Sequence, residues 1–155
     1  MELEKEIQTR FENDYQKVVV NTIYTYGWIS DLLKQRLGKH HITLQQFNVL
    51  RILRGQYPGP ATINLLKDRM LDKMSDASRI VERLVQKGLV SRCINQKDRR
   101  AVDIVINEKG LELLKKLDPV ITPIDILKSN LNEAEAKQLN FLLDKLRGPE
   151  DLKRR

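Results

Sequence analysis

Ser78 and Arg79 stand side by side and Arg83 follows about one helical turn later, setting hydroxyl and guanidinium donors along a single short run. Lys73, Ser75, Asp76 and Glu82 fill the other polar positions of the same run. Further along, Lys97, Asp98, Arg99 and Arg100 form a second, mostly basic group inside a polar stretch. Such groups suit non-covalent recognition of an anionic array of acceptors: arginine offers a planar fork of donors and lysine a mobile point charge.

Nothing in the chain is arranged for bond-making. There is no glycine loop to cradle a phosphate and no Ser-His-Asp order, and Glu133 and Glu135 fit the first turn of a helix, where the dipole favours carboxylates. The consecutive His40 and His41 cannot both aim at one ion, and Cys93 is the single cysteine, so neither a metal site nor an internal disulfide is expected. The chain reads as a binding protein without a cofactor, not as an enzyme.

Charge placement sharpens this reading. The 155 residues carry a net charge of +7, and residues 51–100 hold twelve basic side chains against five acidic ones, so all of the excess falls there while the remainder balances. Basic charge confined to one segment marks a surface for a polyanion, nucleic acid foremost. With 41% hydrophobic and 32% charged residues the chain is expected to fold around a core of its own. No run is apolar enough to span a bilayer, and the acidic start Met1-Glu2-Leu3-Glu4 lacks signal-peptide order, so a cytoplasmic location without membrane contact is expected.

The elements that must position these groups follow from periodicity. Apolar residues at helical spacing from Leu3 to Leu33 predict one long helix over residues 2–37, bent or straight at Gly27. Thr43 and Gln46 predict a capping box for a second helix, and Thr62 an N-cap for a short third one ending near Met70. The next helix is expected to start between Asp72 and Ser75, to bury Ala77, Ile80, Val81, Leu84 and Val85, and to stop at Gly88. Two short helices across a tight turn form a helix-turn-helix.

After Gly88 the period changes from helical to alternating. Residues 89–94 and 102–106 predict two strands whose connecting loop carries Lys97, Asp98, Arg99 and Arg100 as a wing. Asn107 is expected to cap the following helix, with Pro119 and Pro123 kinking or interrupting it before Leu127, and Asn132 with Glu135 to open the last. The fold class is mainly α with a small β-hairpin: a winged helix-turn-helix over residues 43–106, flanked by an N-terminal helix over 1–37 and C-terminal helices over 107–147.

The runs Ser78-Arg79-Ile80-Val81-Glu82-Arg83-Leu84-Val85-Gln86-Lys87-Gly88-Leu89-Val90, Asp98-Arg99-Arg100-Ala101-Val102 and Asn107-Glu108-Lys109-Gly110 resemble the signature of the MarR family. Leu71-Asp72 stands where that family usually has glycine, and Asn107 where it usually has threonine. The resemblance implies a homodimeric transcriptional regulator, usually a repressor, bound to a pseudo-palindromic double-stranded DNA operator. It implies a recognition helix ending at Gly88, an Asp98 that orients the wing and an Arg100 that enters the minor groove. Lys73, Ser75, Asp76, Ser78, Arg79, Arg83, Lys97, Asp98, Arg99 and Arg100 are then the expected DNA-binding residues. The rival reading is a winged-helix interaction module for an acidic protein partner.

Leu3, Ile7 and Phe11 at one end, and Leu139, Leu142, Leu143 and Leu146 at the other, exceed what a small winged domain buries and are assigned to dimerisation. Tyr24 and Trp28, one turn apart, together with Phe47, are the residues for a small aromatic effector, their competing role being core packing. Cys93, on a wing strand, is expected to be buried and inert.

Overall fold

The computed structural model describes residues 2–95, 102–121 and 124–148, apart from the side chain of Val120. The chain divides into two compact units, residues 1–121 and 122–155. In the first, the order is α1 (Leu3–Glu6), α2 (Asp14–Gly38), α3 (Leu44–Gln56), α4 (Ile63–Arg69), α5 (Ala77–Gln86), β1 (Val90–Ile94), β2 (Val102–Ile106) and α6 (Glu108–Ile121).

The N-terminal segment corrects the expectation of one long helix. α1 ends after a single turn, Gln8 takes a left-handed φ of 50°, and α2 starts afresh at Asn13, whose side chain accepts the Gln16 amide at 3.0 Å. A left-handed residue cannot propagate a right-handed helix, whereas an asparagine N-cap satisfies an amide that would otherwise lack a partner. Once started, α2 runs through Gly27 without a break and stops at Gly38.

α3 is the hub, packed by α2, α4, α5, α6 and β2. Both halves of its capping box form: Thr43 Oγ1 accepts the Gln46 amide at 3.2 Å, and Gln46 Oε1 accepts the Thr43 amide at 3.1 Å. Val49, Leu50 and Leu53 are buried on its inner faces. Each fully buried side chain of this size contributes about 1.5–3 kcal/mol relative to exposure, which outweighs the cap and makes α3 the platform for its neighbours. Thr62 caps α4 as its type predicts, accepting the Leu65 amide at 3.2 Å.

The exit from α5 is a Schellman turn. Gly88 sits at φ 66° while its amide donates to Val85 O at 2.8 Å and the Leu89 amide to Leu84 O at 3.0 Å. β1 therefore begins at Val90, one residue later than periodicity predicts, and pairs antiparallel with β2 from Val90↔Ile106 to Ile94↔Val102. Ala61, just before α4, adds a bridge to Ile104, with two 2.9 Å backbone bonds tying the hairpin to the helix-turn-helix.

Asn107 caps α6 as expected, accepting the Gly110 amide at 3.0 Å. Pro119 falls in the last turn of α6, which still reaches Ile121. Pro123 lies outside the described residues. Leu114, Leu117 and Ile121 are wholly buried, and α6 packs on α2 and α3 within the first unit. The second unit holds α7 (Ile124–Asn130) and α8 (Glu133–Leu146), the latter opened by the expected box: Asn132 Oδ1 accepts the Glu135 amide at 3.0 Å and Glu135 Oε2 accepts the Asn132 amide at 2.8 Å.

Candidate nucleic-acid interface

α5 is amphipathic by construction of its sequence. Ala77, Val81 and Leu84 are fully buried, while Ser78, Arg79, Glu82 and Arg83 lie on the exposed side. The buried stripe is narrower than the sequence predicts. Ile80 is half-buried and Val85 exposed, while α5 packs on α3, α4 and β1.

The helix starts later than expected, at Ala77, with Asp76 as its N-cap: Asp76 Oδ1 accepts the amides of Ser78 at 3.0 Å and Arg79 at 3.2 Å. Asp72 and Ser75, the other local candidates, are occupied elsewhere. Ser75 donates its hydroxyl to Asp72 Oδ2 at 2.6 Å and Met74 its amide to Asp72 Oδ1 at 3.0 Å. The Ser75 hydroxyl first, then the Met74 amide, with Gln45 of α3 adding a further bond, hold the Asp72 carboxyl below its ordinary value.

Lys73 turns back on α4, donating to Lys67 O at 3.1 Å and to Asp68 O. Its ammonium thereby satisfies carbonyls at a helix C-terminus, where the dipole also favours a cation. Of the residues expected to meet DNA, the structure thus gathers Ser78, Arg79 and Arg83 on one exposed helix face, and places Lys73, Ser75 and Asp76 in bonds that shape the turn before it. Ser75, Asp76, Arg79 and Arg83 line a cleft of about 260 Å³ with Thr43 and Gln45 at the start of α3. Gln45 was missed by sequence reading, since only the packing of α3 beside the turn brings it to Asp72.

Lys97, Asp98, Arg99 and Arg100 lie outside the described residues. The strands on either side are in place, paired as far as Ile94↔Val102, with Asn95 Nδ2 donating to Asp103 Oδ1 at 2.9 Å. Cys93 is exposed, which corrects the expectation of a buried thiol. A two-stranded hairpin has a packed face only where it meets the core, and β1 leaves it after Val90.

Tyr24 and Trp28 are about two-fifths exposed on α2, and Tyr24 donates to Glu6 Oε2 at 3.5 Å. Phe47 is buried in the core, its ring 5.8 Å from the Arg51 guanidinium. A second cleft, of about 400 Å³, is lined by His40, Lys87, Lys109 and Lys116, among others, so neither cleft gathers the three aromatic residues. Leu3 is buried and Ile7, Phe11 and Leu143 half-buried, whereas Leu139, Leu142 and Leu146 of α8 are 45%, 49% and 54% exposed. Among the described residues no helix is long and apolar enough to cross a membrane.

A helix-turn-helix whose second helix exposes serine and arginine, followed at once by an antiparallel hairpin, defines the winged-helix class of DNA-binding module. The chain belongs to the MarR family of transcriptional regulators: the family's model matches residues 42–102. The HTH-type transcriptional regulator BilQ of Clostridium symbiosum (strain WAL-14163) is 37% identical over 114 residues, covering 73% of this chain and 78% of the relative. The HTH-type transcriptional regulator MhqR of Bacillus subtilis (strain 168) is 29% identical over 122 residues, 78% of this chain and 83% of the relative. Among solved structures, a mutant MarR from E. coli complexed with operator DNA superposes with a TM-score of 0.77 at 25% identity, over 89% of this chain and 99% of that one.

Proposed function

We propose that the protein binds a pseudo-palindromic double-stranded DNA operator as a homodimer and represses transcription from it, with α5 of each protomer in a major groove and the wing over the adjoining minor groove. The observation that carries this reading is the single exposed face of α5 bearing Ser78, Arg79 and Arg83, backed by the fully buried Ala77, Val81 and Leu84. A helix so anchored presents its polar face at fixed height and angle, which is what reading base edges requires.

The roles divide by chemistry. Ser78 and Arg79, in the first turn, suit base edges, and Arg83, a turn further, suits phosphate. Asp76, Ser75 and Lys73 shape the approach. Lys97, Arg99 and Arg100 supply wing charge, and Asp98 orients it. Dimerisation falls to Leu139, Leu142, Leu143 and Leu146 of α8, at i, i+3, i+4 and i+7 spacing, and to Leu3, Ile7 and Phe11 near the N-terminus. An aromatic small molecule at Tyr24 and Trp28 is the reading for release, supported by two partly exposed rings one turn apart; its test is a rise in melting temperature with a panel of aromatic acids.

Gel shifts with the gene's own upstream region test the central claim. Affinity should fall steeply with salt, and Arg83→Ala should weaken all duplexes alike while Ser78→Ala changes which sequence is preferred. If no duplex outcompetes random DNA even at low salt, the claim fails and an interaction module for an acidic protein partner takes its place.

A further inference from the structure

We propose that Met74 reads the C5-methyl group of a thymine in the major groove, a specificity contact that rests on the DNA-binding reading above and deepens it. Met74 is 94% exposed and Leu71, in the same turn, 83%. Single exposed apolar residues are ordinary on protein surfaces. Two long ones within four residues are not ordinary in a turn, where small and polar side chains prevail.

The turn is also not free to fold them inward. The Leu71 amide donates to Asn48 Oδ1 on α3 at 3.0 Å, the Met74 amide to Asp72 Oδ1 at 3.0 Å, and the Ser75 hydroxyl to Asp72 Oδ2 at 2.6 Å. These bonds tie the backbone at Met74 to its own turn and to α3, and a contact made from a tied backbone has less chain to order.

Position selects the occupant. Met74 lies two residues before Asp76, the N-cap of α5, and the residues at the head of a recognition helix are the ones that reach base edges. Ser75 and Asp76, next in the chain, line the same cleft as Arg79 and Arg83, so Met74 directly precedes residues that border the cationic face. In the major groove the one apolar feature a base pair displays is the thymine methyl. Met74 has no donor for phosphate, and its unbranched thioether chain adapts to a methyl group at the groove floor. Arg83 thus holds the backbone while Met74, beside Ser78 and Arg79, distinguishes a T·A pair from the others.

The test begins with selection of preferred duplexes from a random-sequence pool by the full chain, followed by replacing each thymine of the selected site with uracil in turn. Loss of one contacted methyl should weaken the wild-type protein roughly fourfold, the equivalent of one buried methyl group. Met74→Ala, at a position too exposed to disturb folding, should bind the thymine duplex about as weakly as the wild type binds the uracil one, with no further uracil penalty and an unchanged salt slope. Met74→Leu should keep the penalty. Equal binding of all uracil duplexes by the wild type, or a penalty that persists in Met74→Ala, overturns the proposal while leaving DNA binding intact. A wild-type protein that selects no sequence overturns the DNA-reading function itself and this contact with it.

Discussion

Gly110 and Leu89 meet so closely that a β-carbon on the glycine would lie 2.4 Å from the Leu89 carbonyl oxygen. The same carbonyl accepts the Asn107 amide at 3.2 Å, and Asn107 Nδ2 donates to Gly88 O at 2.9 Å, so the start of α6 is locked onto the turn that ends α5. Replacing Gly110 by alanine gains about 1 kcal/mol of helix propensity. The clash is with backbone and with the buried Ile106, neither of which can swing away, so overpacking should dominate. Gly110→Ala is expected to be destabilising by roughly 1–3 kcal/mol, read as a lower urea midpoint at unchanged m-value.

The cap at Asp76 should matter to both stability and recognition. Asp76→Ala removes the acceptor for the Ser78 and Arg79 amides and should cost about 1 kcal/mol. Because those amides belong to the turn that carries the base-reading side chains, fraying should also weaken DNA binding. Asp76→Ser, which keeps a capping oxygen, should recover most of both losses, measured by urea melts and fluorescence anisotropy.

Asp72 predicts an acid-sensitive turn. Its carboxyl is held below the ordinary 3.8 chiefly by the Ser75 hydroxyl and the Met74 amide. A carboxyl depressed on folding contributes stability in full above its unfolded value, and the contribution is lost as pH falls from there through the lower folded value. The wild type should therefore lose more stability below about pH 4 than Asp72→Asn does, which denaturant melts across pH 2–6 would reveal. Parallel curves for the two proteins would disprove it.

α8 exposes Leu139, Leu142 and Leu146 at close to half of their surface. A charge there costs a monomer little but cannot be buried in an isologous interface without a partner. Leu142→Asp is expected to sediment as a folded monomer and to lose the second half-site, so that affinity for a two-site duplex falls to that for a single site.

Local chemistry was legible in the sequence. Thr43 with Gln46, Thr62, Asn107 and Asn132 with Glu135 each predict a cap that forms, because a cap involves residues no more than three apart and little else. The change of period at Gly88 likewise announced the hairpin, since glycine takes the φ of 66° found there without the steric cost of a β-carbon. The face of α5 was readable from its alternation of apolar and polar side chains, and with it Ser78, Arg79 and Arg83.

What depended on residues far apart in the chain was not readable. Three competent caps, Asp72, Ser75 and Asp76, stand within five residues, and the choice of Asp76 follows from Asp72 binding Ser75, Met74 and Gln45, the last from another helix. Lys73, expected to face DNA, donates to a carbonyl that α4 presents, a bond no local pattern in the sequence announces. Cys93 followed a strand that leaves the core, and α6 joined the winged unit because Leu114, Leu117 and Ile121 found α2 and α3 to bury against.

The sequence by itself determined the order of elements, their caps, the cationic middle third and the family to which the chain belongs, all of which are written in short-range pattern and composition. The tertiary structure alone decided where the recognition helix starts, which polar side chains bond within its turn and which apolar ones, such as Met74, stay outside, because competition for hydrogen bonds and buried surface is settled only when distant segments pack together.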